Sequence, residues 1–465
     1  MSNTADTAAD YTSAHPLEPY YRVVRFCYNL ALAALLPAVF LYVLYRTTLG
    51  GKPRWGFMQR LGLVPPEVAE CRRRYKDSLL IWVHAVSAGE AAASHSIVRE
   101  LLALSDRIRV IISVTTATGY RVATEKMPDQ CGVFFLPLDL PLCVRAALNA
   151  IRPDMLLLME TELWPNLLDR AHALGVLTVV ANGRASDASF RKARRVRPLY
   201  EWILHCVDHL YVQSQLDADR FTELRADPRR ITIAGNCKFD ELFPDVDDSR
   251  RAALRAEFGV PDDAPVLIAG STGKGEEEKV LDAFLELRLT WPTLRLILAP
   301  RHPERGQEVA DAVRARGFDV VRRSAMCSGA DSPAGRDCVV VLDTIGELTA
   351  LYSIADVVFV GRTLVPFGGS NVLQPLHYGK PAIVGPCTTN FRDTVRIARS
   401  AGICFEVQSP EALAAEVDRL LSSPEARQAV AEKAGAVFHE HRGASRRIAV
   451  GVARMLGVGG TTGAP

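Results

Sequence analysis

At 465 residues, 48% of them hydrophobic and 23% charged, the chain exceeds one ordinary core and describes a folded protein of two domains with no large disordered share. A formal net charge of +2 argues against nucleic acid as a main partner. Its ten cysteines stand singly with no CxxC pair, so neither a zinc site nor a disulfide framework is signalled, and a reducing, cytosolic setting is expected.

Phe26 to Tyr45 is a nearly uncharged apolar run of about 20 residues, the length that spans a bilayer. It is long for a signal peptide, and no small-residue cleavage site follows it. A buried core helix is the alternative; a single transmembrane anchor is the expectation, within residues 1–50. Basic residues are denser after the run (Arg46, Lys52, Arg54, Arg60) than before it (Arg22, Arg25), which puts the large C-terminal portion in the cytoplasm and the acidic tail (Asp6, Asp10, Glu18) outside.

Residues 51–245 then alternate short apolar runs with helical segments. Strands are predicted at Leu79–Val86, Arg109–Thr115, Gly132–Leu136, Asp154–Met159, Val176–Ala181, His209–Gln213 and Arg230–Ala234. These are continuous Val/Ile/Leu runs, as in parallel strands covered on both faces, and the gaps are long enough for helical crossovers. The charged, Pro-containing stretch Phe243–Pro261 reads as a linker or hinge. Within residues 246–465 a second series follows: Pro265–Ala269, Leu294–Leu298, Phe318–Arg322, Cys338–Leu342, Asp356–Val360, Pro381–Val384 and Gly402–Val407, with Pro410 to Leu456 as terminal helix. The expected fold is two Rossmann-like, doubly wound α/β domains facing a cleft. Ligands in such sheets bind outside the carboxyl ends of the strands.

Three strand ends in the first half carry candidate chemistry. His84-Ala85-Val86-Ser87-Ala88-Gly89-Glu90 turns tightly into a helix; Glu90 is either a dipole-stabilising first-turn carboxylate or a general base. Glu160-Thr161-Glu162 beside Trp164 is hard to explain as packing, because buried acids are costly unless paired and each raises its neighbour's pKa. Metal binding there is a weaker reading, since no DxD-like pair recurs on a neighbouring strand end. Lys238, in Gly235–Asp240, is either a surface lysine or a cation aimed at a phosphate or carboxylate. The run Arg191-Lys192-Ala193-Arg194-Arg195-Val196-Arg197 is either a solvated helix face or, beside an anchor, a site for anionic lipid.

In the second half, Gly270–Glu277, Ala299–Arg305 and Thr344–Leu348 follow the first, second and fourth strands, with Arg301 the best phosphate-binding side chain. The run Val365-Pro366-Phe367-Gly368-Gly369-Ser370-Asn371-Val372-Leu373-Gln374-Pro375 follows another. Two glycines allow close backbone approach, and Ser370 and Asn371 read as caps of a helix whose N–H groups would face an anion. It is neither a Walker loop nor a GxGxxG fingerprint.

Together these motifs, in this order and spacing, resemble the 3-deoxy-D-manno-octulosonic acid (Kdo) transferases of Gram-negative bacteria, over nearly the whole chain. The resemblance implies a GT-B glycosyltransferase that moves Kdo from CMP-Kdo onto the lipid A precursor (lipid IVA) at the inner membrane, working from the cytoplasmic side without a metal ion or separate cofactor. It implies Glu90 as catalytic base and Glu160 and Lys238 as transition-state stabilisers. CMP binding would fall to Pro300 and Arg301, to Ile345, Gly346 and Glu347, and to Asn371, Val372, Leu373 and Gln374. Two departures stand out: the family usually has Glu where Gln374 stands, and a His-Glu pair where Gly273 and Lys274 stand. A different GT-B glycolipid glycosyltransferase, a nucleotide-sugar epimerase and a non-catalytic scaffold are the alternatives. An epimerase has no use for an anchor, and a scaffold no use for Glu90 and Glu160.

Overall fold

A computed structural model of the chain describes residues 18–48, 56–126, 132–329, 331–333 and 337–458; the acidic tail Asp6 and Asp10 lies outside them. The chain divides into two compact units, Met1–Glu241 with Arg442–Pro465, and Leu242–His441.

The first unit is built on seven parallel strands: β1 (Leu79–His84), β2 (Ile108–Val114), β3 (Gly132–Phe135), β4 (Met155–Met159), β5 (Leu177–Gly183), β6 (His209–Val212) and β7 (Ile231–Ile233). Their order is β3-β2-β1-β4-β5-β6-β7, so the chain reverses direction across the sheet between β1 and β4. Side chains alternate between two buried layers. Leu80 and Trp82 of β1 join Leu156 and Leu158 of β4 on one face, while Ile81 and Val83 join Met155, Leu157 and Met159 on the other. Covering both faces is why these strands read as unbroken apolar runs.

Helix α1 (Glu18–Thr48) overturns the expected transmembrane anchor: no helix among the described residues is long and apolar enough to cross a membrane. Its first turns are committed to protein. Tyr21 is buried, Val24 and Tyr28 pack on the core, and Arg25 pairs with Asp169 at 2.9 Å. Tyr28 donates its hydroxyl to Asp139 at 2.9 Å, and Asn29 exchanges amide bonds with Asn166 at 3.1 and 2.9 Å. Arg25, Tyr28 and Asn29 thus tie one side of the helix to protein, while Val23, Phe26, Leu30 and Leu35 stay exposed on the other. Asp139 also accepts the first N–H groups of α3 (Pro165–Ala173, with α2 being Ala88–Leu104), from Asn166 and Leu167. Burial lifts its carboxyl to about 6 against these bonds. The basic run lies on two helices, α4 (Asp187–Arg195) and α5 (Arg197–His205), broken at Val196. Arg191, Lys192, Arg194, Arg195 and Arg197 are all exposed.

The second unit repeats the plan with β8 (Val266–Thr272), β9 (Arg295–Pro300), β10 (Asp319–Arg322), β11 (Cys338–Val341), β12 (Val357–Val360), β13 (Ala382–Val384) and β14 (Cys404–Glu406). The order β10-β11-β9-β8-β12-β13-β14 places its reversal between β8 and β12. Helix α6 (Glu277–Thr290) follows β8 and α7 (Leu373–His377) follows β12.

Two boundaries differ from expectation. The Phe243–Pro261 stretch is not bare linker: Asp247 accepts Arg250 N–H at 2.7 Å and caps a helix, Asp248–Glu257. The terminal helical region, placed by sequence wholly in the second domain, breaks at Ser423 and Gly443, and its last helix, Ala444–Met455, belongs to the first unit. Asp240 ties it there by accepting Gly443 and Ser445 N–H groups at 2.6 and 2.7 Å.

Candidate active site

Glu90 and Glu160 follow β1 and β4, the two strands that flank the reversal point of the first sheet, where a doubly wound sheet opens a crevice. Ser87 caps α2, and Glu90 sits in the helix's first turn. Its two carboxylate oxygens accept Val86 N–H at 2.8 Å and Ser87 Oγ–H at 3.1 Å. With Glu90 N–H donated to Ser87 Oγ at 3.4 Å, this is a capping-box-like arrangement in which Val86 N–H takes the place of Ser87 N–H, so the structural role holds. It coexists with a chemical one: burial, then the charge of Glu160, pushes the Glu90 carboxyl up to about 7. A carboxylate tuned there is suited to taking a proton near neutral pH.

Glu160 holds a left-handed backbone (φ 54°), rare for a residue with a side chain, and its N–H is donated to Ala181 O at 2.9 Å. Its carboxylate pairs with Lys238 Nζ at 3.0 Å, both side chains being mostly buried. Burial, then Glu160, raises the pKa of Glu162 as well. The structure thus brings Glu160 and Lys238 into direct contact and sets Glu90 within the field of Glu160.

Asn182 and His84, given no role in the sequence reading, hold these groups in place. Asn182, fully buried on β5, is also left-handed (φ 57°); its Oδ1 accepts Cys237 N–H at 3.0 Å, fixing the short helix Cys237–Asp240 that carries Lys238. Its Nδ2 has no partner among the described residues. An Asn-Gly pair closing an apolar strand was the available signal, since Asn tolerates this backbone. His84 accepts Trp164 Nε1–H on Nε2 at 3.2 Å, which leaves Nδ1 protonated and facing Ser113 O and Oγ at 3.1 and 2.9 Å. Full burial drives its pKa down to about 4, so the ring stays neutral and pins the Glu160–Trp164 turn to β1.

In the second unit the end of β8 and the residues after β12 are joined by Glu276, which is fully buried. One oxygen accepts Gly273 N–H (2.9 Å) and Arg362 N–H, the other Thr363 and Leu364 N–H (2.9 and 2.8 Å). Burial raises its pKa against these four bonds. Glu277 beside it takes Arg305 at 2.7 Å. Pro300 ends β9, and Arg301 N–H is donated to Thr272 O at 3.0 Å, so Arg301 leaves the sheet next to β8. Ile345 is exposed, Gly346 is left-handed (φ 99°), and Glu347 is bound by Arg323 Nε at 2.9 Å and by Thr344. Burial opposes these bonds, yet they hold Glu347 below the usual carboxylate range.

Gly368 and Gly369 are left-handed (φ 82° and 86°); a Cβ on Gly368 would meet Asn390 Nδ2 at 2.5 Å. The helix after them is shorter than expected and starts later: Ser370 is outside it, and Asn371 Oδ1 accepts Leu373 N–H at 3.0 Å to open the five-residue α7. Val372 and Leu373 are buried, so only their backbones face outward chemistry. Gln374 is half-buried and makes no side-chain hydrogen bond to the described residues. A side chain at Gly273 would have to displace the exposed Phe367 ring, which a Cβ there would approach to 2.8 Å. Among the described residues no three His, Cys, Asp or Glu groups gather as metal ligands.

Two parallel-sheet Rossmann-like units define a GT-B-like fold. A UDP-GlcNAc 2-epimerase from Neisseria meningitidis is similar over 82% of this chain and all of its own (TM-score 0.54), but at 13% identity this likeness concerns fold alone. Sequence is more specific. Residues 55–241 match the family model for 3-deoxy-D-manno-octulosonic-acid transferase (kdotransferase), and residues 334–436 match glycosyl transferases group 1. The 3-deoxy-D-manno-octulosonic acid transferase of Haemophilus influenzae is 31% identical over 85% of this chain and 88% of its own; that of Bordetella pertussis is 33% identical over 91% and 97%. The chain belongs to the Kdo transferase family and is a glycosyltransferase.

Proposed function

We propose that the enzyme transfers Kdo from CMP-Kdo to a hydroxyl of the lipid A precursor, with the acceptor on the first unit and the donor on the second. The observation that carries this reading is Glu90, whose buried carboxylate, raised by burial and by Glu160 to about 7, is half-ionised at neutral pH. Glu90 removes the acceptor hydroxyl proton as that oxygen attacks the anomeric carbon of Kdo. The bond from that carbon to the phosphate oxygen breaks, and CMP leaves with the electron pair. Lys238, held by Glu160, supplies positive charge on the first unit, and Arg301 supplies it to the leaving phosphate. The charges are met by side chains, so the proposed reaction uses no metal. Pro300, the Ile345–Glu347 turn and the Asn371–Gln374 turn line the nucleotide in this reading. Gln374 offers a neutral acceptor to a ribose hydroxyl, about 1 kcal/mol weaker than a carboxylate.

With CMP-Kdo, tetraacylated lipid A precursor and excess EDTA, CMP release is expected at full rate and only when the lipid is present. Donor breakdown without lipid would instead favour an epimerase-like or hydrolytic activity, and loss of turnover in EDTA would remove the metal-free mechanism.

We also place the enzyme at the cytoplasmic surface of the inner membrane, held on the lipid rather than through it. Support comes from the outward face of α1, where Val23, Phe26, Leu30 and Leu35 are each about 60% exposed, and from the basic run on α4 and α5, of which α5 contacts α1. In vesicle flotation the protein is expected to rise with vesicles containing anionic lipid. Reversing Arg191, Lys192 and Arg195 to Glu should lower that bound fraction at least severalfold, and unchanged flotation would contradict the assignment.

A further inference from the structure

In the second unit Arg301 and Arg362 have no carboxylate partner among the described residues. Arg301 follows β9 and Arg362 follows β12, the two neighbours of β8, at the carboxyl edge where that sheet reverses. No carboxylate pairs with either guanidinium among the described residues. The arginines near them differ in this: Arg305 is held by Glu277 and Glu308, and Arg323 by Glu257 and Glu347. An arginine left without a counter-ion is ordinarily a solvated surface group, and one such residue would carry nothing. Two at the ends of the strands that flank β8, at a switch point, are different, because an anion between them relieves the repulsion of like charges.

Arg362 is also held in place at a cost. It is left-handed (φ 64°), a conformation that glycine takes freely and arginine does not. Glu276 secures that backbone by accepting the N–H groups of Arg362, Thr363 and Leu364. The guanidinium is then directed along the glycine turn: it donates to Phe367 O at 2.9 Å and lies 5.9 Å from the Phe367 ring centroid. Gly369 N–H returns a bond to Arg362 O at 2.8 Å, and the adjacent Ser370 Oγ is buried without a partner among the described residues. The field of Arg362 reaches Arg301, whose guanidinium pKa is lowered first by desolvation and then by that charge.

We infer that Arg362 is the second guanidinium of an anion-binding pair with Arg301, and that its ligand is the phosphate of the nucleotide-linked donor. The inference rests on reading this unit as the CMP-binding one and adds a residue to it: the pair grips the phosphate from two sides and stabilises it as it leaves.

Arg362→Gly is the informative variant, since glycine fits the left-handed backbone while the guanidinium is removed together with its contacts to Phe367; Arg362→Lys keeps the charge. Binding of CMP and of pyrophosphate to the full chain is measured by calorimetry at low and high salt. R362G is expected to weaken CMP binding about tenfold at low salt and to flatten the salt dependence, with R362K within a few fold of the wild type. R362G that binds CMP as the wild type does, at both salts, overturns the inference and leaves the proposed function standing. A wild type that takes pyrophosphate but not CMP, and loses it in R362G, keeps the anion site and removes the CMP reading. A wild type that takes neither removes both.

Discussion

Replacing Glu90 with Gln is expected to lower Kdo transfer by about 10²–10⁴-fold, the range that a positioned general base contributes. The fold should survive. Glutamine keeps one acceptor oxygen, so the capping box loses one of its two bonds, to Val86 or to Ser87, at about 1 kcal/mol. CMP binding, which the reading places on the other unit, should be unchanged, so the loss falls on kcat and not on donor affinity. The wild-type pH profile gives the second readout. A base must be ionised to act; with the Glu90 carboxyl near 7, kcat/KM should fall about tenfold per unit below that pH and level off above it. The residual activity of E90Q should lack that acidic limb. A limb that persists in E90Q would assign it to another group, and retained turnover would take Glu90 out of the base role.

The second large effect is expected at Lys238. Its ammonium is the counter-charge of Glu160 in a mostly buried pair, and removing one partner of such a pair leaves the other uncompensated, at up to several kcal/mol. Lys238→Ala should therefore cost stability and at least about 100-fold in kcat, the scale associated with losing one stabilising charge at a reacting centre. Two measurements separate the effects. Combining K238A with Glu160→Gln removes both charges and should recover much of the stability lost, but none of the rate. In K238A alone, the Glu160 charge acts on Glu90 without opposition, so the acidic limb of kcat/KM should move upward, on the order of one pH unit. An unchanged limb with a lowered melting temperature would make Lys238 a structural residue only.

Both sheets were legible because parallel strands covered on both faces announce themselves as unbroken apolar runs, and each expected strand is found within a few residues of its place. The positions of Glu90 and Glu160 were legible for the same reason: they end strands, and strand ends are where such sheets do chemistry. Helix α1 was not. Its apolarity suits lipid and protein equally, and what decides between them is Asp139, Asn166 and Asp169, which lie 111 to 144 residues away in sequence. The return of the last helix to the first unit was hidden likewise, since it depends on Asp240 accepting the N–H groups of Gly443 and Ser445. The left-handed backbone of Asn182 is hinted at by its Asn-Gly pair, but that of Arg362 has no sign in the sequence and follows from the Glu276 contacts around it. Of the expected capping pair Ser370 and Asn371, it is Asn371 whose side-chain oxygen reaches Leu373 N–H.

The most direct measurement is the mass of the product. Purified enzyme incubated with CMP-Kdo and tetraacylated lipid A precursor should yield lipid heavier by one or more whole Kdo residues, with CMP released in equal number. Unmodified lipid beside consumed CMP-Kdo, or no reaction with this donor under conditions where the protein is folded and binds CMP, would contradict Kdo transfer to this acceptor.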